Sequence, residues 1–130
     1  MIKKAKWFVK EARLRLTYMT ADLCIFCKII KGELKSTLLH QTEKVVAFAD
    51  INPVARTHIL IVPKKHIDSV AVISESDCGD LVEMFKVAVT LAVNNKLDAY
   101  RLTFNAGRYQ HVPHLHMHLL AGGKIQWSKL

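Results

Sequence analysis

Glycine is scarce in this chain: there are five in 130 residues, and only Gly122 and Gly123 adjoin. That excludes a glycine-rich loop cradling phosphate with main-chain amides. There is also no Gly-x-Ser-x-Gly elbow to carry a serine nucleophile. Cysteine is sparse too, and three is an odd number that makes no disulfide framework. A reducing compartment follows, and the expected location is cytoplasmic. No apolar run approaches the roughly 18 residues of a membrane span, so no transmembrane segment is expected. A basic start followed by a short apolar block, the mark of a secretory signal, is missing as well. Nor is there a strong field of one sign over the body. The net charge is +8, but Lys3, Lys4, Lys6, Lys10, Arg13 and Arg15 against Glu11 supply +5 of it within residues 1–21. The other 13 basic and 10 acidic residues leave +3. Generic nucleic-acid binding would have to come from the N-terminal segment, and no specific nucleic-acid partner is expected.

What is present is material for one domain, since 51% of the residues are hydrophobic. Two parts are read: a basic extension over residues 1–21 and a folded body over residues 22–130. In the extension, Ile2, Ala5, Val9, Ala12, Leu16 and Met19 recur at helical spacing, predicting an amphipathic helix docked on the domain or a partner. A surface-seeking helix or an organelle-targeting peptide over residues 1–18 are the alternatives, and Met19 could serve as a second start. In the body, Cys24 to Ile30 is apolar and mixed, with a turn near Gly32. Strands are predicted over Lys44–Ala49, His58–Val62 and Arg101–Asn105, with Asp50-Ile-Asn-Pro53 as a turn. Ser74 to Asp80 offers caps for a helix reaching about Asn95, its apolar face Leu81, Met84, Phe85, Ala88, Leu91 and Ala92. Short strands with one central helix indicate an α+β fold with an antiparallel sheet.

The most telling stretch is Pro113-His-Leu-His-Met-His-Leu-Leu120. Strict alternation predicts a half-buried strand, with His114, His116 and His118 on one face and Leu115, Met117 and Leu119 toward a core. Three imidazoles in register have no packing value, whereas neutral imidazole is a nucleophile, base or metal ligand near neutral pH. The arrangement suits substitution at phosphorus. The middle ring, His116, is read as the nucleophile, and His118 as the group that binds the phosphate oxygens or helps the leaving group depart. Asn105 and Gln110 are amides that could fix the phosphate's position.

Cys24-Ile-Phe-Cys27 is half of a zinc site that two histidines elsewhere would complete. A redox pair or two buried small hydrophobes are the other readings. His40 and His66 stand among polar or basic neighbours and read as surface residues. His58 reads as a satisfied core histidine unless its strand lies beside the cysteines. Cys78 reads as inert.

The run from His114 to Leu120 resembles the His-φ-His-φ-His-φ-φ motif of the histidine triad proteins, φ being apolar. The resemblance extends to Cys24-Ile-Phe-Cys-Lys-Ile-Ile30, Phe48-Ala-Asp-Ile-Asn-Pro53 and Thr57-His-Ile-Leu-Ile-Val-Pro-Lys-Lys-His66, which look like the Hint branch. It covers about residues 22 to 123. It implies a five-stranded antiparallel sheet with one main helix, usually paired into a homodimer. It implies a purine nucleotide substrate and nucleotidyl transfer or hydrolysis through a covalent nucleotidyl-histidine on His116. Asp50 then resembles the carboxylate that holds the ribose hydroxyls, with Phe26, Ile51 and Phe48 as walls for the base. For zinc-bearing relatives the resemblance implies Cys24, Cys27, His58 and His114 as a structural site.

Two departures stand out. Tyr109-Gln110-His111 replaces the common Gly-Gln-Ser, so His111 is either a fourth imidazole toward the phosphate or a solvent-facing residue. The tail from Lys124 to Leu130 keeps Trp127 but lacks the Trp-Pro-Pro ending. The function implied is that of a hydrolase resembling the adenosine 5′-phosphoramidases. Cleavage of dinucleoside polyphosphates, as in the Fhit branch, is the second reading. A nucleotide-binding scaffold without turnover is the third.

Overall fold

The computed structural model describes residues 23–130, so the amphipathic stripe predicted within residues 1–21 lies outside the described residues. The chain runs through α1 (Ile25–Ile30), β1 (Leu38–Gln41), β2 (Val45–Ala49), β3 (Thr57–Pro63), α2 (Cys78–Asn94), β4 (Arg101–Thr103) and β5 (Met117–Ala121). The strands form one five-stranded sheet in the order β1-β2-β3-β5-β4, every pair antiparallel. This is the α+β architecture with one main helix that the sequence predicts. No helix among the described residues is long and apolar enough to cross a membrane.

Alternation along each strand sorts side chains onto two faces. Val45, Ala47, Ile59, Ile61, Met117 and Leu119 face α2, where Met84, Val87, Ala88 and Leu91 complete the larger core. Val46, Phe48, Leu60 and Val62 face the other way, against Cys24, Phe26 and Cys27 of the α1 segment. Phe48 pairs with Leu60 and Leu60 with His118, so these three form one row across the second face. The site is built on that row.

Local chemistry sets the helix ends. Before α2, Ser74 N–H donates to Asp77 Oδ2 at 3.0 Å in a capping box, and Asp77 also pairs with Lys65. After α2, Lys96 takes φ +53 and Leu97 N–H returns to Ala92 O at 2.9 Å, satisfying a terminal carbonyl. The six-residue α1 ends likewise at Gly32, φ +79, with Glu33 N–H on Lys28 O at 2.9 Å. Gly122, φ +78, closes β5 where a Cβ would come within 3.1 Å of Arg56 Cβ.

The structure departs from the sequence reading in three elements. β1 was not predicted; it is an edge strand whose pairing with β2 is interrupted between Leu38 and His40. Phe85, expected on the apolar face of α2, is 46% exposed, and Val87 takes its place in the core. β5 begins at Met117, so His114 and His116 precede the ladder.

Candidate active site

Alternation survives beyond the strand. Leu115 N–H donates to Ile67 O at 2.6 Å, and this bond extends the pleat upstream of β5. Leu115, Met117 and Leu119 therefore sink into the core while the histidines stay on the opposite face. His114, His116 and His118 are all buried. The His116 and His118 rings lie 4.9 Å apart, His58 lies 5.1 Å from His118, and His66 lies 4.7 Å from His114. The three histidines thus divide into two groups, with His114 apart from the other two.

Hydrogen bonds assign the protons in the first group. A carbonyl only accepts, so His116 Nδ1 carries the hydrogen that meets His114 O at 2.7 Å. In the neutral ring Nε2 is then left with a bare lone pair. Val54 N–H donates to His58 Nδ1 at 3.1 Å, so in neutral His58 the hydrogen is on Nε2. That hydrogen points to His118 Nδ1 at 2.8 Å, with Asp50 Oδ2 at 3.3 Å. His118 consequently holds its own hydrogen on Nε2, a buried atom with no partner among the described residues. Burial lowers the pKa of His116 and His58 from the ordinary histidine value. His118 is pushed down to about 3 by burial, with the charges of His116 and His58 adding. At neutral pH the pair offers one bare nitrogen and one unpartnered N–H side by side.

The second group corrects the metal expectation. Donor atoms of Cys24, Cys27, His66 and His114 all lie within 4.8 Å of one another, and they form a set that could hold a metal ion. Cys24 Sγ is 3.3 Å from His114 Nδ1, and Cys27 Sγ is 3.2 Å from His66 Nδ1. A tetrahedral zinc site has donor edges of about 3.3–3.8 Å, from bonds of roughly 2.3 Å to sulfur and 2.0 Å to nitrogen, so the set fits. His114 is oriented for the role, because its Nε2–H donates to Pro63 O at 2.8 Å and leaves Nδ1 bare toward the sulfurs. Burial works to raise the Cys24 thiol, but its hydrogen bonding with His114 and His66 outweighs it and holds it down to about 5. Burial beside that sulfur pushes Cys27 up to about 12. His58, expected as a ligand, is absent from this set. Its Nδ1 is taken by Val54 N–H, and its Nε2 hydrogen is directed at His118, away from the cysteines. His66, read as a surface residue, stands in its place.

Of the remaining expected residues, Phe26, Phe48 and Asp50 border the first group. Phe26 packs edge-on against Phe48 at 5.5 Å and against His116 at 5.1 Å, forming an aromatic wall beside it. Asp50 holds the turn through Oδ1, which accepts Asn52 N–H at 2.8 Å. Ile51 is 91% exposed and free to meet a ligand. Asn105 lies two residues beyond Thr103, which pairs with His118. His111 is exposed, yet its charge opposes protonation of His116 and His118. Gln110 turns inward: its Nε2 donates to Asp68 O at 2.8 Å and Val112 O at 2.9 Å.

Comparison with known proteins agrees with this architecture. Residues 23–129 match the family described as scavenger mRNA decapping enzyme C-term binding. The chain is 42% identical over 106 residues to a purine nucleoside phosphoramidase of Escherichia coli, covering 78% of this chain and 89% of that one. It is 42% identical over 123 residues to a 14 kDa zinc-binding protein of Zea mays, covering 91% and 94%. Among solved structures, a HIT family hydrolase from Legionella pneumophila superposes with a TM-score of 0.75 at 40% identity, covering 80% of this chain and 96% of that one. The fold and the paired histidines define a histidine triad domain. The chain belongs to the histidine triad (HIT) family.

Proposed function

We propose that the protein is a nucleotide hydrolase that cleaves purine nucleoside phosphoramidates at the α-phosphate through a covalent nucleotidyl-histidine on His116. The observation that carries the reading is the proton arrangement of the two rings. His116 Nδ1–H is tied to His114 O, so the bare Nε2 is the attacking atom. His118 Nε2–H, unpartnered beside it, donates to a phosphoryl oxygen as negative charge develops there. Because His118 stays neutral, it acts as a fixed dipole and not as a cation. Nε2 forms a bond to phosphorus as the bond to the amine breaks, and the amine takes a proton from solvent that the later attack of water gives back. Water then attacks the adduct, releases the nucleoside monophosphate and restores His116. The net reaction consumes one water. Asp50 is proposed to bind the ribose hydroxyls, and Phe26, Phe48 and Ile51 to line the base. The name of the 42% identical Escherichia coli relative supports this choice of substrate.

Zinc is proposed for Cys24, Cys27, His66 and His114, supported by the fit of the donor set and the name of the Zea mays relative. With four protein donors it would brace the site and not activate water. A homodimer is proposed through the edge of β4, unpaired among the described residues, and the exposed Val82, Phe85, Val89 and Val93 of α2.

Brief exposure to adenosine 5′-phosphoramidate followed by intact-mass spectrometry tests the reaction. The expected result is one adenylate mass on the wild-type chain and none on a folded His116→Ala variant. Equal turnover by that variant would sink the assignment.

A further inference from the structure

Gln110 was expected to meet the phosphate, but both hydrogens of its amide are committed elsewhere. They reach two main-chain carbonyls on separate segments, Asp68 O at 2.8 Å and Val112 O at 2.9 Å. The first belongs to the segment that carries His66, and its neighbour Ile67 O receives Leu115 N–H at 2.6 Å. The second, Val112 O, also accepts His114 N–H at 2.8 Å. His114 O in turn accepts His116 Nδ1–H at 2.7 Å. One side chain therefore stands at the root of a continuous series: Gln110 amide, Val112 carbonyl, His114 peptide, His116 ring. A primary amide suits that position, because two acceptors are met by two donors on one planar, uncharged nitrogen. The backbone of Gln110 is itself fixed, its N–H returning to Gly107 O at 3.0 Å across the short turn Gly107–Tyr109.

We propose that Gln110 is a positioning residue: it ties the segment before the triad to residues 66–68 and so holds His116 in the tautomer and place from which it attacks, without touching substrate. The proposal rests on the phosphoramidase reading for its kinetic readout, but not for its structural one. A residue that meets the leaving group is felt according to the leaving group. A residue that aims the nucleophile costs every substrate the same factor, since misplacement by an ångström can slow attack by about 100-fold.

Gln110→Glu keeps the shape and points acceptors at two carbonyls, whereas Gln110→Met keeps the length and removes both bonds. Each would be compared with wild type in turnover of adenosine phosphoramidates bearing an alkylamine and an aromatic amine. Heteronuclear NMR of the imidazole nitrogens would read the His116 tautomer in the same samples. The expected result is a kcat lowered by about 10- to 100-fold, equally for both amines, with KM within about two-fold. Mixed His116 tautomers should accompany it. If Gln110→Glu fails to fold, Gln110→Met carries the comparison. A loss that differs between the amines, or an unchanged His116 tautomer in both variants, would overturn the proposal. If wild type turns over neither amine, the phosphoramidase reading fails while the NMR comparison still decides the role of Gln110.

Discussion

His66 and His58 sit eight positions apart, and their ring nitrogens settle opposite duties. His66 presents Nδ1 to Cys27 Sγ at 3.2 Å, whereas His58 has Nδ1 occupied by Val54 N–H. Metal analysis of purified variants should separate them: His66→Asn loses bound zinc, and His58→Asn keeps it. Retention by the first and loss by the second would reverse the assignment. Sequence reasoning reached Cys24, Cys27, His114, His116 and His118 because spacing exposed them, as C-x-x-C or as strict alternation. It missed His66 for a physical reason. The residue follows Lys64 and Lys65, whose solvated character hides that the chain turns inward after Pro63 and brings His66 39 positions back onto Cys27. Likewise the amide of Gln110 gives no sign in the sequence of whether it faces a ligand or its own backbone.

At the scale of elements, α2 separates two kinds of apolar residue that periodicity alone treats as one. Met84 is fully buried against the sheet, while Phe85, Val89 and Val93 are at least 46% exposed on the outer face. Met84→Ala should therefore destabilise the monomer by about 2–5 kcal/mol in denaturant titration. Val89→Asp should leave monomer unfolding nearly unchanged and shift sedimentation toward the single chain. A sedimentation profile indifferent to Val89→Asp would remove this face from the proposed interface. Among the central strands, β2 and β3 were legible because they are apolar and rich in β-branched residues between clear turns, and β5 because its histidines alternate with apolar residues. β1 was not, since Leu38-Leu-His-Gln41 lies mostly exposed on an edge and has no buried face to impose alternation. The six residues of α1 are too few to show a helical period; Cys24 Sγ, accepting Cys27 N–H at 3.4 Å, marks its start instead.

For the whole molecule, the buried imidazoles link folding to acidity. His58, His116 and His118 have pKa values lowered in the folded chain, so between about pH 6.5 and those values the unfolded chain binds more protons. Their contribution is present at neutral pH and is lost as pH falls below about 6.5, down to about 3 for His118. Unfolding free energy should decline from about pH 7 to pH 5, by up to about 1.4 kcal/mol per pH unit for each ring that remains uncharged. Chemical denaturation across that range checks it, with His118→Asn giving a shallower decline. A slope indifferent to that substitution would mean that the ring does not stay neutral on folding.

The interruption between Leu38 and His40 has a consequence for assembly. A rim whose ladder is broken makes a poor template for another chain, so among the described residues the β4 rim is the one that invites extension. Were two copies to meet there about a twofold axis, as proposed, each would block the other's unbroken border. Growth would then terminate at the pair, and a sheet open to a companion would resist becoming a filament.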